Sequence, residues 1–179
     1  MPELPEVETV RAGLETLIIG QAVRGTSSDW AKSFPNTPAD VESFLHGAKI
    51  TGVRRRAKVL MIDLDTKYTL VIHLKMTGQM VYRSRQGDDD FGAGHPNESL
   101  IGALPDRSTR VTLELSSGTL YFNDQRKFGW VKLMPTELIE TLPFFMKVGP
   151  EPLGDSIDEH IFVQRMMRRK NTTVKSALL

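Results

Sequence analysis

Residues 110–124 read RVTLELSSGTLYFND, and the order of side chains in that stretch sets the expectation for the fold. Val111, Leu113 and Leu115 alternate with Thr112 and Glu114. Successive side chains of an extended chain point to opposite faces, so the alternation describes a strand with one dry face and one wet face. Antiparallel sheets tolerate a wet face, whereas parallel sheets are covered on both sides. More β-rich runs lie on either side: AVRGTSSDW from residue 22, KITGVRRRAKVLMIDLD from 49, YTLVIHLKM from 68 and GWVKLM from 129. Together they predict a mainly β fold built from antiparallel sheets.

Helices are expected at the margins. Pro5 suits a first helical turn, and Val7, Val10, Leu14 and Leu17 follow at spacings that share one face, which predicts a helix over 5–18 with Gly20 near its end. NTPADVESFLHG (36–47) predicts a short helix over 38–46. Residues 83–109, rich in Gly, Asp, Pro and Ser, read as a long surface loop. VGPEPLGD (148–155) reads as a linker, and SIDEHIFVQRMMRRK (156–170) has helical spacing, with Ile157 and Ile161 four apart and Phe162 and Met166 likewise. The chain stops at KSALL with neither cap nor glycine, the pattern of a second domain cut short. The expected organisation is therefore one domain over 1–149 and the start of a helical one over 150–179.

Composition narrows the classes. Hydrophobic content of 40% and charged content of 25% are ordinary for a globular protein, and no apolar run approaches the roughly 18 residues a membrane-spanning helix needs. The N-terminus bears glutamates where a signal peptide would bear lysines, so the cytoplasm is the expected compartment and no membrane partner is expected. With no cysteine, and with His46, His73, His95 and His160 far from ligand spacing, no metal site is expected. The net charge of +1 leaves any polyanion to be held by local clusters: RRRAK (54–58), QRK (125–127) and QRMMRRK (164–170).

The first residues, MPELPEVETV, are chemically distinctive. Aminopeptidases remove an initiator Met that precedes a small residue such as proline, which would leave Pro2 with a secondary amine. An α-amino group has a pKa of about 7.7–8.0 against about 10.4 for lysine, so far more of it is neutral and nucleophilic at pH 7. Such amines form Schiff bases at carbonyl-like carbons. Glu3 is adjacent and Glu6 one turn on, and two carboxylates beside one amine can divide proton transfer from cation stabilisation. The same residues also make an ordinary helix start, where acids favour the first turn.

PELPEVETVRAGL (2–14) closely resembles the N-terminus of the bacterial formamidopyrimidine-DNA glycosylase family, enzymes that excise 8-oxoguanine and ring-opened purines. RRRAKVLMIDL, IHLKMTGQM, NDQRKFGW and VGPEPL agree with the family in order, so the resemblance spans essentially the whole chain. It implies a flattened two-layer β-sandwich flanked by helices, and double-stranded DNA with oxidised purines or abasic sites as partner, bound by a nucleoid-associated monomer. It implies that Pro2 attacks C1′ of the damaged nucleotide, that Glu3 is the acid assisting base departure or ring opening, and that Glu6 supports the same centre. Lys58 is similar to a hairpin lysine that contacts phosphate and donates a proton in β-elimination. Met76, Arg126 and Phe128 resemble the trio that fills the void left by the extruded base, a step that costs a few kcal/mol. Lys170 resembles a lysine on the DNA backbone, and Asp124 is expected to order the turn before Arg126. Family members also hold one zinc in a C-terminal finger with four cysteines that this chain does not contain.

The sequence departs from the family pattern where Ser108 stands for a DNA-contacting histidine, and the lost contact is expected to pass to Arg107 or Arg110. The rival readings are an oxidised-pyrimidine glycosylase of the same superfamily, disfavoured by Leu4 where that branch tends to carry glycine, a non-catalytic damaged-DNA-binding fragment, and a structural β domain whose basic clusters are merely solvated.

Overall fold

The computed structural model describes residues 2–149, 151 and 158–178. The chain divides between Leu142 and Pro143 into two compact units. Residues 150 and 152–155 of the expected linker, and Ile157 of the expected helical face, lie outside the described residues.

The first unit opens with α1 (Leu4–Ile18), whose buried face is Val7, Val10, Leu14 and Ile18, with Leu17 only partly buried beside it. Burying each of these side chains contributes about 1.5–3 kcal/mol. There follow β1 (Val23–Ser28), α2 (Pro38–Phe44), β2 (Ile50–Arg56), β3 (Val59–Leu64), β4 (Tyr68–His73), β5 (Gly78–Ser84), β6 (Phe91–Gly94), β7 (Thr109–Leu115), β8 (Gly118–Asp124) and β9 (Trp130–Pro135). They form two antiparallel sheets, in orders β1-β7-β8-β5-β6 and β2-β3-β4-β9. Leu60, Ile62, Leu70 and Ile72 of one sheet and Met80, Leu113, Leu120 and Phe122 of the other share the core. In β7 the alternation holds as expected: Val111, Leu113 and Leu115 are buried while Glu114 is exposed.

The run at 49–65 is a hairpin, β2 and β3, because Arg56 pairs with Val59 across a two-residue turn in which Ala57 takes φ 49°. Residues 78–84 form a strand, β5, that joins β6 to β8. One expectation is corrected, that residues 83–109 form a single loop. They contain β6, which pairs with β5 from Gln79↔Gly94 to Tyr82↔Phe91, and a 3-10 turn at Glu98–Leu100. The Gly92–Ala93–Gly94 sequence has no strand propensity of its own; Phe91 holds it by lying across Gly13 of α1, where an added Cβ would fall 2.2 Å from the ring. The rest of the segment is fixed by Asp106, which accepts from the Ser99 hydroxyl (2.6 Å), the Ser108 hydroxyl (2.6 Å) and the Ser108 amide (2.7 Å).

Helix α1 packs against β2 and β6, the outer strands of the two sheets. The pair Glu8–Arg55, at 2.7 Å with the Arg55 side chain only 6% exposed, locks it to β2. This fixes where the first residues of the chain lie.

The second unit contains α3 (Pro143–Lys147), α4 (Glu159–Arg168) and α5 (Val174–Leu178). Asp158 caps α4 by accepting from the Ile161 amide at 2.8 Å, and Arg165 and Arg168 complement the helix dipole at the other end.

Candidate active site

Pro2 is buried immediately before α1. Glu3 is the N-cap, and its amide donates to the Glu6 carboxylate at 2.9 Å, so Glu6 grips the peptide that joins Pro2 to Glu3. The Glu3 side chain accepts from Lys58 Nζ of the β2–β3 turn at 2.6 Å. That hydrogen bond, and the lysine charge behind it, hold the Glu3 carboxyl below its ordinary pKa. Pro2, Glu3, Glu6 and Lys58 are therefore brought together by the helix start and one tight turn.

His73 ends β4 opposite Val59 and faces Trp130 of β9, with ring centroids 5.9 Å apart. Burial pushes its pKa down to about 4, and the charges of Lys75 and Lys58 add to the effect. The Lys75 amide donates to Nδ1 at 3.1 Å, which in the neutral ring leaves the proton on Nε2. In the sequence His73 stands out only as a possible metal ligand, one without ligand spacing. Its neighbour in the site, Val59 beside Lys58, comes from strand register, which residue spacing does not reveal.

Met76, Arg126 and Phe128 also converge. Met76 sits between β4 and β5, the other two between β8 and β9, yet Arg126 Nη1 reaches Met76 Sδ at 3.3 Å and its guanidinium lies 5.1 Å from the Phe128 ring centre. Met76 is 38% and Phe128 54% exposed, so the two apolar side chains and the guanidinium form one exposed group. Lys127 between them has φ 58°, and its ammonium lies 4.6 Å from the centre of the Trp30 ring.

Of the expected DNA contacts, Arg110 is placed differently. Ser108 is 2% exposed and committed to Asp106. Arg110 is 4% exposed, with Nε donating to the Asp124 carbonyl (2.8 Å), Nη1 to Asp29 (2.5 Å) and Nη2 to the Arg107 carbonyl (2.6 Å). It is thus a buried strut and not a surface cation. Arg107 is exposed, as is Lys170 in the second unit. Among the described residues no group of three or more His, Cys, Asp or Glu could hold a metal, and no helix is long and apolar enough to cross a membrane.

Residues 1–131 match the N-terminal domain of formamidopyrimidine-DNA glycosylase, which sets the class: the β-sandwich domain of a DNA glycosylase. Solved structures agree. A Lactococcus lactis Fpg (MutM) in complex with N7-benzyl-Fapy-dG-containing DNA superimposes with a TM-score of 0.72 at 30% identity, over 92% of this chain and 55% of the other. MutM in complex with carbocyclic 8-oxo-G-containing DNA gives 0.73 at 30% identity, over 93% and 57%. The chain belongs to the formamidopyrimidine-DNA glycosylase family. It is 40% identical over 181 residues to the Cereibacter sphaeroides formamidopyrimidine-DNA glycosylase and 40% over 182 residues to that of Rhodopseudomonas palustris. All of this chain and 60% of each relative are covered.

Proposed function

We propose that this chain is the catalytic β-sandwich part of a base-excision repair glycosylase that removes oxidised or ring-opened purines and nicks the strand at the resulting abasic site. The observation that carries the reading is the 2.6 Å Glu3–Lys58 pair beside Pro2. With Met1 removed, the Pro2 amine attacks C1′, the base departs with the C1′–N bond electrons, and ring opening gives an iminium through which the 3′ phosphate is eliminated. At pH 7 Glu3 is ionised and enters as a base, or as the anion facing positive charge developing on the sugar. Lys58 Nζ is the hydrogen-bond donor of the pair, and proton delivery is assigned to it. Neutral His73 can donate one hydrogen bond without adding charge.

Met76, Arg126 and Phe128 are assigned to the void left by the extruded base, where an unbranched thioether, a planar cation and a ring fit a stack of bases. Arg107 and Lys170 are assigned to phosphates, contacts that give affinity without reading sequence. The zinc of the relatives' finger has no thiolates to hold it in these residues, and no step is routed through it.

The test is borohydride trapping with duplexes carrying 8-oxoguanine or an abasic site, on protein whose intact mass shows Met1 absent. A covalent adduct mapped to Pro2 supports the reading. No adduct on either substrate overturns it and leaves a DNA-binding fragment.

A further inference from the structure

The two loops that carry Met76 and the Arg126–Phe128 pair belong to different strand connections, yet one side chain holds both. Asp124 is fully buried at the end of β8. One carboxyl oxygen accepts from the Thr77 hydroxyl, next to Met76, and from the Arg126 amide at 3.2 Å. The other accepts from the Gly129 amide at 2.6 Å, just after Phe128. The Arg126 amide is shared, lying 3.1 Å from Thr77 Oγ1 as well. Asp124 has no freedom of its own, since its amide donates to the Ser108 carbonyl (2.7 Å) and its carbonyl accepts from buried Arg110. Gly129 must be glycine for this approach, because a Cβ there would lie 2.7 Å from the Phe122 ring and 3.1 Å from Asp124 Oδ2.

The donor and acceptor pattern fits one residue type. Three donors converge on Asp124 and none of its oxygens is asked to donate, so an acceptor-only carboxyl group is matched, whereas an amide would turn an NH2 toward a donor. Buried polar networks that are fully satisfied fix a single geometry.

Resting on the plug reading above, we propose that Thr77 and Asp124 are positioning residues that bind the two loops into one rigid unit, so that Met76, Arg126 and Phe128 enter the base stack together and not one by one. Neither residue touches DNA in this scheme. Arg110 and Ser108 complete the mount from behind.

The experiment uses the whole chain and a duplex in which 2-aminopurine neighbours a tetrahydrofuran abasic analogue, so that fluorescence at saturating protein reports stack opening. Thr77→Val removes the hydroxyl at nearly constant volume, and Thr77→Ser keeps it. The proposal expects Thr77→Val to cut the fluorescence rise by roughly threefold or more with affinity changed less than about twofold, and Thr77→Ser to restore it. It also expects Met76→Ala and Phe128→Ala to be strongly non-additive in the unsubstituted chain and nearly additive beside Thr77→Val. A Thr77→Val chain that opens DNA like the unsubstituted one overturns the clamp. So does a Thr77→Val whose lower opening is matched by a lower melting temperature and shared by Thr77→Ser, since that marks a role in folding alone. If the unsubstituted chain itself gives no rise, the plug reading fails and the clamp with it, a result distinct from the other two.

Discussion

Glu3 and Lys58 lie 55 residues apart in the chain, yet their charged groups meet at 2.6 Å, joining the first turn of a helix to the turn of a hairpin. The contact is exposed to solvent, so its value lies in where it puts a proton more than in stability. Lys58→Ala is expected to return the Glu3 carboxyl toward its ordinary pKa of 4.5 and move the acid limb of the kcat/KM profile upward, leaving the melting temperature essentially unchanged. Loss of the hydrogen-bond donor to Glu3 should lower the rate by about 10²-fold or more. An acid limb that stays in place would show that Lys58 does not set the protonation of Glu3.

Glu8 and Arg55 do the structural work that Glu3 and Lys58 do not. Arg55 is almost wholly enclosed, and its hydrogen bond holds Glu8 below the ordinary carboxylate range. Glu8→Gln leaves an enclosed cation with a weaker acceptor and is expected to destabilise by about 1–2 kcal/mol, read from urea midpoints. Because α1 would then sit less firmly on β2, trapping yield at Pro2 should fall as well. An unchanged midpoint would remove this pair from the account of how the terminus is placed.

His73 sets a pH dependence whose sign is fixed. Its folded pKa of about 4 lies below the unfolded 6.5, so between those values the unfolded chain binds a proton that the folded chain refuses. Stability therefore rises with pH from 4 to 6.5 and is level above that, by about 1–2 kcal/mol once solvent screening is allowed for. The lowered carboxyls of Glu3, Glu8 and Asp106 contribute in the same direction but only below their unfolded values of 4.5, 4.5 and 3.8. Comparing urea midpoints at pH 5 and 7.5 isolates the histidine, and His73→Gln should flatten the difference.

Gly13 tests the packing that creates β6. Gly13→Ala places a methyl group inside the Phe91 ring and is expected to cost about 1–3 kcal/mol, with Phe91→Ala recovering part of the loss in the double variant. Additive effects of the two changes would show that the contact is not shared.

The antiparallel fold was legible because β7 alternates in burial as it does in sequence, and α1 because its apolar face keeps a helical spacing. β6 was not, since its two glycines and one alanine take their conformation from Phe91 and from the ladder, both long-range effects. The site divides in the same way. Pro2, Glu3 and Glu6 could be read as a chemical group because they are neighbours in sequence, whereas the meeting of Arg126 with Met76 depends on loops 50 residues apart. Arg110 was misplaced because composition cannot distinguish a cation at a phosphate from one locked between Asp29 and the carbonyls of Asp124 and Arg107. Nothing in the sequence near Ser108 states that its hydroxyl turns inward to Asp106.

Strand β9, the outer strand opposite β2 in its sheet, is flanked by the segment after β1, where Val131 donates to the Ser33 carbonyl and Asn36 exchanges hydrogen bonds with Leu133. At the other side, α1 lies along β2 and β6. An uncovered outer strand is a template for pairing with another chain. The 15 residues of α1 therefore guard two outer strands against pairing with another chain while they fix the position of Pro2. A chain whose first helix came loose would open both outer strands to pairing in a single step.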